Sequence, residues 1–320
     1  MKVTLEQACR LLAQADNITI IAHQKPDGDT LGASFGLLWG LEQLGKTARV
    51  LCSDGFPARY SSIITGDYRP VDFQEEFVMA VDTADLQLFG DLREAYGHRV
   101  DLCIDHHPSN SGYARHLYLE PTAASTAEMA LKVLEELEVA ITPEIATAIY
   151  TGISTDTGCF RYGNTTAESH AAAARLIGLG ARHEQVNRLM FETHSRERFI
   201  VEARAKASIE YYYGGSCAMM YITPEMLEGT QVDEYDLEGF SAFPRQVEGV
   251  EVGVTIRVRE NGECRVSMRT CDRVDASRVC QQLGGGGHMR AAGCTLIGSR
   301  DEVRQQLLQS LASSFPGRER

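Results

Sequence analysis

The sequence predicts an α/β chain: a doubly wound, mainly parallel sheet domain, a connecting helix, and a smaller mixed α/β domain, with a cleft between the two domains. Three observations carry this. Up to residue 182, short β-branched runs alternate with helical stretches, the order that yields a parallel sheet. Beyond residue 213 the pattern changes to strict apolar/polar alternation about Asn261-Gly262, an antiparallel hairpin signal. At 320 residues and 43% hydrophobic, the chain can bury a core in each part. The expected boundaries are 1–182, a helical connection over 183–213, and 214–320.

Residues 4–15 carry an amphipathic helical pattern, and ITIIA at 18–22 reads as a buried strand. The next helix places Leu31, Phe35, Leu38, Leu41 and Leu44 at helical spacing, with Gly32, Gly36 and Gly40 four apart. An interior glycine costs about 1 kcal/mol against alanine, and close packing of this helix on the sheet is the expected offset. Strands follow at 48–52 and at 77–82, where FVMAVD ends in an aspartate. A helix near 86–96 leads to VDLCIDHH, a fourth strand ending in Asp105, His106 and His107. Helices are expected over 125–137, 143–153 and 167–179, with TGISTDTGCFRYGNTT as a loop presenting Asp156. Residues 183–213 are charged and helix-prone, with no turn signal before Gly214-Gly215. In the last part, Val252, Val254, Ile256 and Val258 share a face with Cys264, Val266 and Met268, while Arg257, Arg259, Arg265, Ser267 and Arg269 share the other. A short helix at 276–283 precedes GGGGHMRAAGC, and a final helix spans 300–313.

A net charge of -13 excludes a broad basic surface for long duplex nucleic acid, so a polyanionic substrate must be met locally. Nine cysteines without a C-x-x-C pair, several inside apolar runs such as Cys103 and Cys159, read as reduced thiols of a cytoplasmic protein. The N-terminal pattern is helical rather than secretory, and no apolar run is long enough for a membrane span. The oligomeric state, including a homodimer, is left open.

The chemistry gathers at strand ends. His23, Asp27 and Asp29 stand at i, i+4 and i+6 on a turn held by Pro26 and Gly28, directly after a strand. Such a set can converge on one or two divalent cations at the carboxyl edge of a parallel sheet, although Asp29 could simply cap the helix that follows. Asp82, Asp105, His106, His107 and Asp156 are expected on the same edge. Singly, each reads as a cap or turn former; recurrence on one edge makes a dinuclear site the stronger reading. Carboxylates mixed with imidazoles suit manganese best, with magnesium, cobalt or iron also suitable, and the lack of thiolates argues against structural zinc. Two such ions about 3.5–4 Å apart can share a water and clamp a phosphate, which points to phosphoester hydrolysis. Gly284, Gly285, Gly286 and Gly287, placed before a short helical stretch, could line an anion with backbone amides, and His288 would add a donor. A merely flexible loop is the plainer reading of that run.

AHQKPDGDTLGAS, VDTAD, DHHPSN and GISTDTG resemble, in order and rough spacing, the four motifs of the DHH phosphoesterase superfamily. GGGGHMRAAG resembles the hallmark of its associated C-terminal domain, and the layout is most similar to the NrnA group. That group consists of oligoribonucleases that also remove the 3′-phosphate of 3′-phosphoadenosine 5′-phosphate. The resemblance implies a catalytic metal-binding domain at 1–182 and a substrate-binding domain at 214–320. It implies one metal on His23, Asp27 and Asp82, and another on Asp29, Asp82, His106 and Asp156. His107 would face the scissile phosphate as charge stabiliser or proton donor, with Asp105 orienting a histidine. The glycine run would bind the terminal phosphate of short RNA or of a small nucleotide phosphate, and Arg269, in Ser267-Met268-Arg269, would hold the nucleotide. Arg257 joins them on geometry alone. A phosphodiesterase for cyclic dinucleotides or their linear products, a RecJ-like single-strand exonuclease, and a non-catalytic nucleotide sensor stand as alternatives.

Overall fold

The computed structural model describes residues 1–232, 236–237 and 239–317, and its contacts divide the chain between Thr193 and His194. In the first unit, Thr4 and Gln7 form a capping box that starts α1 (Leu5–Gln14). The elements that follow are β1 (Ile18–Ala22), α2 (Gly28–Gln43), β2 (Ala48–Leu51), β3 (Phe77–Val81), α3 (Leu92–Tyr96), β4 (Leu102–Asp105), β5 (His116–Leu119), α4 (Thr126–Glu136), α5 (Pro143–Asp156), α6 (Ala167–Gly178) and α7 (His183–Asn187). The strands pair in the order β2-β1-β3-β4-β5, all parallel. Their carboxyl ends therefore share one edge, where ligands bind in open α/β sheets.

Both faces of this sheet are covered, as a parallel sheet requires. Ile18, Ile20, Met79, Val81, Leu102 and Ile104 pack with residues of α1, α2, α4 and α5. Ile21, Val78, Ala80 and Cys103 face the other way, toward Phe89, Leu92 and Tyr96. The glycines of α2 differ from expectation. A Cβ on Gly32 would lie 2.3 Å from the Ala148 carbonyl oxygen, and one on Gly40 2.1 Å from a Leu134 methyl. They seat α2 on its neighbours α5 and α4 rather than on the sheet.

Asp156 also lies elsewhere than expected: it is the last residue of α5, not part of a loop. The Thr/Ser-rich segment stays helical because its hydroxyls bond back to carbonyls one turn earlier. Thr151 donates to Thr147 O at 2.7 Å, Thr155 to Thr151 O at 2.8 Å and Thr157 to Ile153 O at 2.6 Å. Nor is 183–213 one helix. After α7 comes a π-helical turn over Arg188–Glu192, and then Ser195 caps a new helix by accepting the Arg198 N–H.

The second unit contains α8 (Arg196–Ala207), β6 (Glu210–Tyr212), β7 (Cys217–Ile222), α9 (Pro224–Leu227), β8 (Val252–Val258), β9 (Glu263–Thr270), α10 (Ala276–Gln282), β10 (Gly286–His288), β11 (Ala291–Ile297) and α11 (Arg300–Leu311). Its mixed sheet runs β10-β11-β9-β8-β7-β6, with only β7 and β8 parallel. Val252, Val254, Ile256, Val266 and Met268 pack on α10 and α11 through Val279, Val303, Leu307 and Leu311. On the opposite face, Met220 and Ile222 meet Val201, Ala205 and Phe240.

The glycine run is another departure. Gly286–His288 is an edge strand joined to β11 by a turn at Met289-Arg290, so no helix follows it. Small residues permit this tight pairing: a Cβ on Gly285 would lie 2.1 Å from Gly293 O, and one on Gly287 2.6 Å from Ala292 Cα. No helix among the described residues is long and apolar enough to cross a membrane.

Candidate functional site

The carboxyl edge of the parallel sheet collects the predicted polar residues. β1 runs into His23, and Asp27 caps α2, its Oδ1 accepting the N–H of Asp29 at 3.0 Å and of Thr30 at 3.1 Å. Capping therefore falls to Asp27, and Asp29 is free for other work. Buried in the first turn, Asp29 accepts the N–H of Thr126 at 2.7 Å on Oδ2 and of Ala127 at 2.8 Å on Oδ1, the first residues of α4. Asp82 follows β3 in a left-handed backbone conformation, φ +56°, and its Oδ1 accepts the Thr126 hydroxyl at 2.8 Å. Asp105 ends β4 fully buried, with His106 and His107 just beyond it.

These side chains form three overlapping groups whose ligand atoms lie within 4.8 Å of one another: His23, Asp27 and Asp82; Asp29, His106 and Asp156; Asp82, His106 and His107. Asp82 belongs to two sides at once. Its Oδ2 is 3.7 Å from His23 Nε2, while its Oδ1 is 3.8 Å from His106 Nε2. Around His106 Nε2 stand Asp29 Oδ2 at 4.0 Å and Asp156 Oδ2 at 3.8 Å. His23 Nε2 is 3.7 Å from Asp27 Oδ1.

Crowding shifts the titration of these groups. Burial and the carboxylates of Asp82, Asp156 and Asp27 push Asp29 well above the usual carboxylate range. Burial, then Asp27, raises Asp82, and burial raises Asp156 to about 6. Burial opposes the charge on His23, but Asp27 and Asp82 outweigh it and push its pKa up to about 9. A set of carboxylates that repel one another when ionised, with imidazole donors among them, is the electrostatic counterpart of a divalent cation.

His107 is held differently. Its Nδ1 is 2.8 Å from Asp105 Oδ1, and that hydrogen bond raises its pKa to about 9. Burial disfavours the Asp105 carboxylate, yet His107 and Asn110 together hold its pKa below the ordinary value. Asn110 donates to Asp105 Oδ2 at 2.6 Å and to Thr83 O at 3.3 Å.

Three residues that hold this site were missed by sequence reasoning. Thr126 bonds Asp82, Asn110 bonds Asp105, and Asn164 donates to Asp156 Oδ2 at 3.3 Å. Asn110 stands in the DHHPSN segment and Asn164 in the stretch after Asp156, so position beside a ligand was the available signal. Thr126 had only its place beside the cap Ser125.

In the second unit the predicted residues separate into two places. Arg257, Gly284 and Gly285 line a recess of about 720 Å³ together with Arg265, Ser267 and Thr295. Gly286, Gly287 and His288 make the edge strand β10, whose last residue, His288, is exposed. Arg269 lies further along β9, opposite Ala291 of β11, outside the residues that line the recess.

Residues 17–153 match the model of the DHH family, N-terminal domain, and residues 215–315 match that of the DHHA1 domain. The chain is 34% identical over 302 residues to a bifunctional oligoribonuclease and PAP phosphatase NrnA of Thermus thermophilus, covering 92% of this chain and 89% of that one. It is 25% identical to the cyclic-di-AMP phosphodiesterase PdeA of Listeria monocytogenes, over 96% of this chain but 49% of the relative. An exopolyphosphatase-related protein from Bacteroides fragilis has the same fold, with a TM-score of 0.86, 22% identity and coverage of 96% and 95% of the two chains.

Proposed function

The chain belongs to the DHH family, a hydrolase family acting on phosphoester bonds, and on that premise we propose a divalent-metal-dependent enzyme for short oligoribonucleotides. It cuts dinucleotides and nano-RNA to mononucleotides and removes the 3′-phosphate of 3′-phosphoadenosine 5′-phosphate. The observation that carries the reading is Asp82, whose two oxygens face two different ligand groups. The relatives named as oligoribonucleases and PAP phosphatases support the substrate class.

In this reading His23, Asp27 and Asp82 hold one ion, and Asp29, Asp82, His106 and Asp156 hold the other. Hard oxygen and imidazole donors without a thiolate make manganese the best fit, with magnesium or cobalt acceptable. When bound there, two divalent ions would supply an activated water and offset charge on the phosphate. The rest falls to the chain. Asp29 is fixed by the first turn of α4, Asp156 by Asn164 and Asp82 by Thr126, so the ligands keep their places without the substrate. With Nδ1 committed to Asp105, His107 turns Nε2 to the phosphate and can give a proton to the departing oxygen. Arg257, Arg269, His288 and the glycine strand bind the nucleotide phosphate. The substrates are small nucleotide phosphates and short RNA, not long duplexes. All nine cysteines are free, which supports a cytoplasmic setting.

The test is to incubate manganese-loaded protein with end-labelled RNA of two to ten nucleotides, and separately with the bisphosphate. The fastest turnover is expected on the shortest RNAs, with phosphate released from the bisphosphate and both activities lost on chelation. A preference for the longest RNAs, or substrate binding without turnover, overturns the reading.

A further inference from the structure

We propose that Tyr162 is a nucleobase platform at the rim of the metal-ligand groups, its open ring face stacking on a base of the bound nucleotide. This rests on the function proposed above and makes the base, not the phosphate alone, a source of affinity in the first unit.

The turn after α5 is built to hold this ring. Gly158, Cys159 and Phe160 are all left-handed, with φ of +57°, +57° and +61°. Two of the three carry a side chain in a conformation that costs energy for any residue with a Cβ. Backbone bonds enforce it. The Cys159 N–H donates to Ser154 O at 2.7 Å, and the Arg161 and Tyr162 N–H groups both donate to Thr157 O, at 2.9 and 3.0 Å. Arg161 Nε donates to Gly158 O at 2.6 Å. Strain that the surroundings hold so firmly is characteristic of functional sites.

Because Cys159 and Phe160 adopt the same φ, backbone freedom is not what requires glycine at position 158. The Tyr162 ring is the reason. A Cβ on Gly158 would lie 2.3 Å from Tyr162 Cζ and 2.5 Å from both Cε1 and Cε2, so the ring rests with its face on the bare α-carbon.

The two aromatic residues of the turn have opposite fates. Phe160 packs inward, stacked 5.2 Å from His170 and tilted 6.1 Å from Tyr150. Tyr162 stays 56% exposed. Among the described residues it has no ring partner, and its hydroxyl makes no hydrogen bond. A ring supported on one face and open on the other adds little to a core, yet it is what base stacking uses.

Placement identifies what meets it. Asn164, two residues on, donates to Asp156 Oδ2 at 3.3 Å and to Ala124 O at 3.0 Å. Two residues span at most ~7 Å, so the ring stands beside the group that contains Asp156. A nucleotide whose phosphate is held by that group carries its base to the same rim. Stacking takes a flat heterocycle without reading its edge, so any of the four bases is accepted.

The experiment measures kcat/KM for the wild type, Tyr162→Ala, Tyr162→Phe and Tyr162→Trp on an adenylyl dinucleotide and on its two abasic counterparts, each lacking one base. Tyr162→Ala should lose about tenfold on the dinucleotide, mainly through KM, which is ~1.4 kcal/mol of stacking. On one abasic counterpart its loss should be far smaller, because the base that Tyr162 stacks on is already missing. Tyr162→Phe and Tyr162→Trp should keep most of the wild-type value. Tyr162→Trp should also show fluorescence quenching by the dinucleotide beyond the Trp39 signal of the wild type, and less by that abasic counterpart. Equal losses on all three substrates in Tyr162→Ala, no loss on the dinucleotide, or a loss as large in Tyr162→Phe overturns the platform. A wild-type protein that binds the dinucleotide without cutting it overturns the proposed function instead, and the quenching comparison still decides the platform.

Discussion

Asn110 donates its side-chain amide to Asp105 Oδ2 at 2.6 Å, while Asp105 Oδ1 holds His107 Nδ1 at 2.8 Å. The three form a line from the protein interior to the ring that faces the site. Asp105 is fully buried, so removing its amide partner leaves a carboxylate oxygen poorly satisfied and its hold on His107 loosened.

Asn110→Ala is expected to lower kcat on an RNA dinucleotide by about 10–100-fold, the usual cost of losing a group that orients a catalytic side chain. A p-nitrophenyl nucleotide ester, whose leaving group departs without a proton, should lose far less. Equal losses on the two substrates would show that Asn110 supports the fold rather than the proton donor.

Manganese should stabilise the first unit. An ion at about 100 times its dissociation constant adds about 2.7 kcal/mol. At about 2–4 °C per kcal/mol for a unit of this size, Tm should rise by roughly 5–10 °C. Asp82→Asn should remove more than half of that rise and nearly all turnover, because each of its oxygens serves a different ligand group. A full rise in Asp82→Asn would show that Asp82 is not shared. The comparison is a thermal melt with and without chelator.

Glu251 gives a pH dependence in the second unit. Its Oε1 accepts the N–H groups of Asp272 at 3.1 Å, Arg273 at 2.6 Å and Val274 at 2.9 Å, ordering the turn before α10. Burial opposes its charge, but these amides outweigh burial and hold its pKa below the ordinary glutamate value. A folded pKa below the unfolded one means that the stabilisation is present at neutral pH and disappears as the pH falls through the folded value. Glu251→Gln should therefore cost about 1–2 kcal/mol near pH ~7 and progressively less at an acidic pH below the ordinary glutamate value. Urea melts at the two pH values decide; a cost independent of pH would assign the effect to packing alone.

Gly32→Ala is expected to destabilise the protein by about 1–3 kcal/mol, although alanine is the better helix former by about 1 kcal/mol. The added methyl would meet a backbone oxygen of α5, which cannot swing aside. Because α2 bears Asp29 and α5 bears Asp156, manganese should bind more weakly too. Calorimetric titration reads this directly, and a Gly32→Ala variant as stable as wild type would show that the two helices slide freely.

The strand ends were legible because buried parallel strands are short apolar runs with an abrupt polar stop, as ITIIAH and LCIDHH show. The β8–β9 hairpin was legible from its period of two and its Asn-Gly turn. Asp156 was misplaced because Gly152 and the Thr and Ser residues around it weaken the helix signal, while hydroxyl-to-carbonyl bonds invisible to propensity retain the helix. The glycine run was misplaced because its conformation depends on Ala292 and Gly293, partners supplied by β11. Likewise β5 and β7 went unread: one is four residues long, and the other, CAMMYI, is uniformly apolar and fits helix or strand alike.

β10 closes one side of the second unit's sheet, so among the described residues one of its two rows of backbone polar groups has no strand beside it. An exposed edge of that kind invites annealing with another chain. Three residues, two of them glycine, are too short and too pliant to template such a partner, yet bare enough for an oxyanion to approach. The run thereby leaves this edge a poor template for aggregation. Replacing its glycines with β-branched residues is expected to cost solubility.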